Sequence, residues 1–274
     1  MHTGRRYNLS EFILWTRTTI YRLLLLSVVP VFLYEVVGWK WLAIPWVPVT
    51  LIGTAAAFIT GFKNTQTYSR SWEARQIWGG IVNTSRAFGV AVKNMVRGQD
   101  EAGVSAMQQQ LIYRHIGWLT ALRFQLRESR VWENIKSKSY NTEYKSHYKV
   151  DEWDNELATE LTPYLTADEK DYILSKKNRA TQIISLQSVQ LKELNEAGNI
   201  DTLNYVEIQN LLKEFYEHQG KCERIKNFPY PRQFASINTF FIWLFVLMVP
   251  FGLMQEFAKL GEGMVWLSVP FSIL

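Results

Sequence analysis

Two phenyl rings and one hydroxyl, from Phe58, Phe62 and Thr54, recur at a spacing of four residues within the uncharged stretch Trp41–Phe62. Residues four apart lie on the same face of an α-helix, so the spacing predicts a single stripe. Phenyl rings around a narrow opening hold water poorly, and the positive edges of the rings attract anions. Such rings act on water and ions where they surround an opening, and they pack against lipid or a neighbouring helix where they do not.

A second stripe lies one position round the same helix and consists of Gly53, Ala57 and Gly61. Small residues at this spacing allow another helix to approach closely. The two stripes together suit a ring of identical helices around an axis. The alternative is ordinary packing of a membrane helix, with small residues inside and phenyl rings against lipid. Periodicity alone leaves both open.

Residues for bond-making chemistry are sparse in this sequence. It contains no nucleophile elbow, Walker motif or dinucleotide-binding fingerprint. The single cysteine, Cys222, allows no internal disulfide, and the four histidines form no metal-ligating spacing with it. We therefore expect no catalytic site, metal or cofactor.

Apolar stretches predict the membrane helices that would position the two stripes. Leu23–Val37 is a short first span, and Trp41–Phe62, with 22 residues, is long enough to cross a bilayer core of about 30 Å. Ala235–Met254 is a third span. Met264–Leu274 is also apolar, but as a helix it would rise only about 16 Å. We therefore expect an all-α membrane protein with four transmembrane helices, the fourth incomplete in this chain.

The distribution of charge predicts the topology. Residues 1–22 are basic and form an N-terminal segment, in which Ser10 could cap an interfacial helix over Glu11–Tyr21. Only Lys40 lies between the first two spans, whereas basic residues follow the second span. The positive-inside rule then gives a multi-pass protein of the cell inner membrane with a cytoplasmic N-terminus. The formal net charge of +5 is accordingly a topology signal and does not indicate a nucleic-acid partner.

The polar middle of the chain predicts a helical cytoplasmic domain over 63–234, between membrane segments 23–62 and 235–274. Lys136–Tyr148 is typical of a loop, and Phe228–Arg232, with two prolines, marks the return to the membrane. Helices are expected at Met107–Arg127, Arg179–Ala197 and Thr202–Glu217, with helix starts at Thr162-Pro163 and Thr166–Glu169.

Two separated blocks of this sequence resemble the bestrophin family of ion channels, in its bacterial branch. The first, Gly61–Arg86, contains N-T-x-x-Y-x-R, W-E-A-R-x-x-W-G and N-x-S-R, and the second is GKCERIKNFPYPRQFAS, Gly220–Ser236. One departure is visible, since Ser71 stands where the family usually has the first of two tryptophans. The residues that carry the first motif are Arg70, Trp72, Glu73 and Arg75.

The resemblance implies a homopentamer in the lipid bilayer that conducts monovalent ions, either chloride-type anions or small cations, through a central pore. It places a hydrophobic neck at Thr54, Phe58 and Phe62, although the family neck is usually apolar at all three levels, so Thr54 is a departure. It also implies a cytoplasmic constriction at Val206, or at Ile208 if the count slips; packing inside the domain is the alternative for Val206. A membrane-anchored helical interaction or signalling module without a pore is the alternative function.

Overall fold

The computed structural model describes residues 8–133, 139–144 and 149–273 of the chain. This part is helical and contains no β-strand. The helices are α1 Leu9–Glu35, α2 Trp46–Met95, α3 Glu101–Arg127, α4 Ser139–Tyr144, α5 Asp151–Asp154, α6 Leu157–Leu161, α7 Ala167–Leu174, α8 Arg179–Glu196, α9 Thr202–Asn227, α10 Arg232–Ala258 and α11 Ser268–Ile273.

The helices form two compact units. The first unit comprises Met1–Tyr68, Glu133–Lys149 and Tyr230–Leu274, and the second comprises Ser69–Trp132 and Val150–Pro229. Helix α2 contributes residues to both units, because the division falls within it.

The first unit contains the helices that are long and apolar enough to cross a membrane. Among the described residues these are α1, the helical region Lys40–Met95, which includes α2, and α10, and a shorter apolar segment follows at Met264–Ile273. This agrees with the expected all-α membrane protein and its short last span.

Helix α1 differs from the expectation at its N-terminal end. Leu9–Glu35 is one continuous helix that follows Asn8, so the separate helix over Glu11–Tyr21 and the cap at Ser10 were wrong. The segment contains no glycine and its only proline is Pro30, so nothing in the backbone interrupts the helix before that point.

The hairpin between α1 and α2 turns at Gly38, whose φ of +84° is accessible to glycine at little cost. A short 3-10 turn follows, and α2 starts at Trp46, where the backbone N–H donates to Gln255 Oε1 at 3.3 Å. Pro48 is tolerated in this first helical turn because its missing N–H would have had no partner within the helix. The start of α2 packs on α10, where a Cβ on Gly252 would lie 2.9 Å from the Trp46 ring.

The second unit has a large core between the end of α2 and helices α3, α8 and α9. Leu111, Trp118 and Leu122 of α3 are fully or almost fully buried and form one face of the helix that was predicted over Met107–Arg127. The capping box at Thr166–Glu169 is also confirmed, with the Thr166 side chain accepting from the Glu169 N–H and the Glu169 carboxylate accepting from the Thr166 N–H. Gly198, with φ +77°, separates α8 from α9 as expected.

Three predicted features between residues 136 and 227 need correction. Thr162 ends α6 and does not start a helix. Helix α9 continues ten residues past Glu217, to Asn227, so the second bestrophin-like block begins inside a helix. The loop expected over Lys136–Tyr148 contains the short helix α4, and the remainder of that prediction lies outside the described residues.

Candidate functional site

The rings of Phe58 and Phe62 form an edge-to-face pair on α2, with centroids 4.7 Å apart. They are 67% and 58% exposed in the single chain. The face on which they lie is largely uncovered along the first half of α2, where Val47 and Leu51 are also exposed. The two rings are therefore not part of the core of the protomer.

Thr54 continues the same exposed face one turn earlier. Its hydroxyl donates to the Thr50 carbonyl at 2.9 Å. The hydroxyl proton is thus used within the helix, and Thr54 presents its methyl group and an oxygen that can only accept. Thr54 is for this reason less polar towards its surroundings than a free hydroxyl.

The small-residue stripe is divided between two environments. A Cβ on Gly53 would lie 2.5 Å from the Phe245 ring of α10, so Gly53 packs against α10 within the protomer. Ala57 is exposed, and a Cβ on Gly61 would meet no atom within 4 Å. Within the stripe, Ala57 and Gly61 are therefore open to contact with another molecule.

Val206 and Ile208 on α9 have opposite environments. Val206 is 50% exposed, whereas Ile208 is completely buried in the core of the second unit. Val206 is therefore not part of this core, whereas Ile208 is.

The two sequence blocks that carry the family resemblance meet in the second unit. The Arg70 guanidinium of the first block donates to the Ile225 carbonyl in the last turn of α9 at 2.8 Å. The Glu73 carboxylate pairs with Arg224. A cation near the C-terminal carbonyls of a helix is favourable, and here it ties α2 to α9. The motif residues Arg70 and Glu73 thus have a positioning role.

The other two motif residues, Trp72 and Arg75, lie together on the exposed side of α2. Both side chains are exposed, and the Arg75 guanidinium carbon is 5.9 Å from the centroid of the Trp72 ring. That distance allows a weak cation–π contact.

A close approach between α2 and α9 depends on a glycine. A Cβ on Gly80 would lie 2.4 Å from the His218 ring, whereas neighbouring Gly79 faces open space. Burial against this backbone, with the nearby charge of Lys221 as a second cause, lowers the pKa of His218.

The polar centre of the second unit was not expected from the sequence. His115 is buried among the rings of Phe88, Trp118 and Phe215, with centroids 4.6–5.3 Å away. Burial lowers its pKa to about 4, so the imidazole is neutral at physiological pH. Its Nε2 lies 3.0 Å from Ser85 Oγ. The sequence signal that could have indicated a buried histidine is the position of His115 on α3, between the buried residues Leu111 and Trp118.

The described residues contain no group of three or more His, Cys, Asp or Glu side chains that could hold a metal ion. Cys222 is buried, and burial together with the Glu223 carboxylate raises the pKa of its thiol to about 11. A thiolate is therefore strongly disfavoured at this position.

A family model described as bacterial/fungal bestrophin protein matches residues 13–273. The chain belongs to the bacterial and fungal bestrophin family. This family consists of ion channels and not of enzymes, in agreement with the sequence.

Curated relatives of this bestrophin match at low identity. The voltage-dependent anion channel-forming protein YneE of Salmonella typhi is 24% identical over 209 residues, which are 76% of this chain and 58% of the relative. The voltage-dependent chloride channel 1 of Arabidopsis thaliana chloroplasts is 23% identical over 211 residues, which are 76% of this chain and 43% of the relative. The chain thus spans less than two thirds of the length of these relatives.

Solved structures show the same fold. A variant of the bacterial bestrophin homologue from Klebsiella pneumoniae matches with a TM-score of 0.72 at 22% identity, over 94% of this chain and 83% of that one. A second structure of this homologue matches with a TM-score of 0.74 at 21% identity, over 93% and 82%. These likenesses confirm the fold.

Proposed function

We propose that this bestrophin assembles as a homopentamer in the plasma membrane and conducts chloride-type anions through a central pore. The observation that carries the proposal is the exposed aromatic pair Phe58–Phe62 on an uncharged face of α2. Relatives named for anion channel formation support the choice of activity.

The proposed neck consists of Thr54, Phe58 and Phe62. Residues four apart on α2 differ in height by about 6 Å, so five chains would supply three successive rings of side chains. A narrow apolar passage expels water and thereby closes to ions, and a small shift of the helices lets water return. The Thr54 hydroxyl already donates its proton to the Thr50 carbonyl, and this lower polarity makes Thr54 compatible with such a neck.

The charge of α2 beyond the neck favours anions over cations. Between Lys63 and Lys93 the sequence contains five basic residues and one acidic residue, Glu73. Glu73 is paired with Arg224, so its charge is compensated locally. A passage near this helix would therefore carry a positive potential, which concentrates anions.

Val206 supplies the proposed second constriction because its side chain is half exposed.

The proposed oligomer uses the open part of the small-residue stripe, Ala57 and Gly61, for close contact between α2 helices of neighbouring chains. The number five rests on the resemblance to the family. Native mass spectrometry in detergent should give five chains of 32.0 kDa each. A monomer or dimer as the only species would contradict the pore.

The proposed topology keeps the N-terminus and 63–234 in the cytoplasm, with 23–62 and 235–274 in the membrane. Basic residues on both sides of the first hairpin support it, since only Lys40 lies between the first two spans.

Ion flux tests the activity directly. Purified protein in liposomes should pass chloride faster than empty vesicles, and the reversal potential under a KCl gradient should lie near that of chloride. A reversal potential near that of potassium would identify a cation channel instead. An intact oligomer without flux would favour the alternative of a membrane-anchored interaction module.

A further inference from the structure

A small cavity lies between α3, α8 and α9 in the core of the second unit. Its volume is about 10 Å³, and Arg114, His115 and Gln187 contribute polar atoms to a lining that is otherwise mostly apolar. This volume is close to the minimum that holds one water molecule.

Two buried polar atoms of the lining side chains have no hydrogen-bond partner among the described residues. They are Nε of Arg114 and Oε1 of Gln187. Arg114 is 4% exposed and Gln187 is 3% exposed, so bulk solvent does not satisfy them. One atom is a donor and the other is an acceptor, and leaving both unpaired in a protein interior is unfavourable.

The remaining contacts of both side chains fix their orientation. The two terminal nitrogens of Arg114 donate to Gln190 and Glu169. The Gln187 amide nitrogen donates to the Leu111 carbonyl at 2.8 Å. Exchanging the amide O and N of Gln187 would place two carbonyl oxygens against each other, so Oε1 is the atom left unpaired.

The tautomer of His115, which also lines the cavity, is set by Ser85. Ser85 donates its hydroxyl to the Ile81 carbonyl at 2.6 Å, so it can only accept from His115 Nε2. The neutral imidazole therefore carries its proton on Nε2, and its Nδ1 is unprotonated.

We propose that this cavity binds one ordered water molecule, which accepts from Arg114 Nε–H and donates to Gln187 Oε1. A water molecule supplies the donor and the acceptor that the two orphaned atoms require. An anion is disfavoured because Glu169 already neutralises Arg114 and because Gln187 presents an oxygen. A cation is disfavoured by the guanidinium. The water bridges α3 and α8 directly beneath α9, the helix that carries Val206.

The test is a structure of the full-length oligomer at a resolution that shows ordered water. Density should lie about 2.7–3.2 Å from both Arg114 Nε and Gln187 Oε1. An empty cavity, or a direct bond between these two side chains, overturns the proposal. Crystals grown with bromide in place of chloride should show no anomalous peak in the cavity, and a peak there would identify an anion and overturn the proposal as well.

A pair of variants adds a second readout. Gln187→Met removes the acceptor at similar side-chain volume, and the water density should disappear. Ile184→Met changes another cavity-lining residue without removing a polar atom, and the density should remain. Density that persists in Gln187→Met overturns the assignment. If that variant does not fold, the parent map and the bromide data decide.

Discussion

Replacing Phe58 and Phe62 together with alanine should raise channel conductance or open probability several-fold. If the rings face the pore axis, the substitution removes two rings of side chains at levels about 6 Å apart along the pore. The passage becomes wider and wetter, so the barrier from dewetting falls. Anion preference should change less, since the basic residues beyond the neck are untouched.

The structure also limits how much stability the double substitution removes. A fully buried Phe→Ala substitution costs about 3–5 kcal/mol. Because Phe58 and Phe62 are 67% and 58% exposed in the protomer, only about a third to two fifths of each side chain is covered. The protomer should therefore lose about 1–2 kcal/mol per ring, and assembly should survive.

The assay is single-channel recording of purified oligomers in planar bilayers, with native mass spectrometry of the same preparation. Phe240→Ala/Phe241→Ala is a matched control, because it removes another edge-to-face ring pair, with centroids 5.8 Å apart, from α10. Val206→Ala should give a smaller increase, since less bulk is removed. A Phe58/Phe62 variant that assembles normally and conducts like the parent would place the neck on another face of α2. Loss of assembly without gain of current would instead mean that the rings are packing residues.

Three further predictions concern the second unit. Gly80→Ala should destabilise the protein by about 1–3 kcal/mol in thermal unfolding, because its Cβ collides with an imidazole ring of α9; Gly79→Ala, which faces open space, should be neutral or stabilising by up to about 1 kcal/mol. Arg70→Met should cost about 1.5–3 kcal/mol by loss of its charge-assisted bond to the end of α9, with exposed Arg86→Met as the control, at less than about 0.5 kcal/mol. His115 has a pKa of about 4 in the folded protein, against an ordinary value of 6.5. The stability that the protein gains from burying the neutral imidazole is therefore complete above pH 6.5 and is lost as the pH falls towards 4. His115→Phe should therefore reduce the loss of stability between pH 7 and pH 5 by about 2 kcal/mol in urea unfolding.

The contradicting results are specific to each of these predictions. Equal effects at Gly79 and Gly80 would refute the close helix contact. An Arg70 variant as stable as the Arg86 control would show that the motif does not tie α2 to α9. An unchanged pH dependence in His115→Phe would show that the imidazole is not the group that titrates.

The sequence was sufficient for features with a local chemical cause. The helix start at Thr166, the break between Ala197 and Thr202 and the helix break at Phe228–Arg232 were all predicted, because a hydrogen bond, a positive φ or a proline sets each of them within a few residues. The predicted cap at Ser10 was wrong because serine only favours the N-cap position, and the residues around it include no helix breaker. Helix α9 extends past its predicted end at Glu217 because the following residues up to Asn227 contain no proline, and Gly220 alone does not end a helix.

The environment of each candidate site residue could not be read from spacing. Gly53 and Gly61 share one stripe, yet only Gly53 is covered by α10, because the path of a distant helix decides which turn is contacted. Val206 and Ile208 are two residues apart and have opposite burial. The pairing of Arg70 with Ile225 joins residues 155 positions apart in sequence, and no local pattern indicates it. Whether the exposed rings of α2 surround an axis is still a prediction.

The burial of Cys222 makes this protein convenient for site-directed thiol labelling. It is the only cysteine of the chain, and a pKa of about 11 leaves roughly one thiol in ten thousand ionised at pH 7. A cysteine introduced at an exposed position would therefore react with a methanethiosulfonate reagent long before the native one. The natural sequence can thus serve as its own background for accessibility scanning along α2 and around Val206, without a cysteine-free parent.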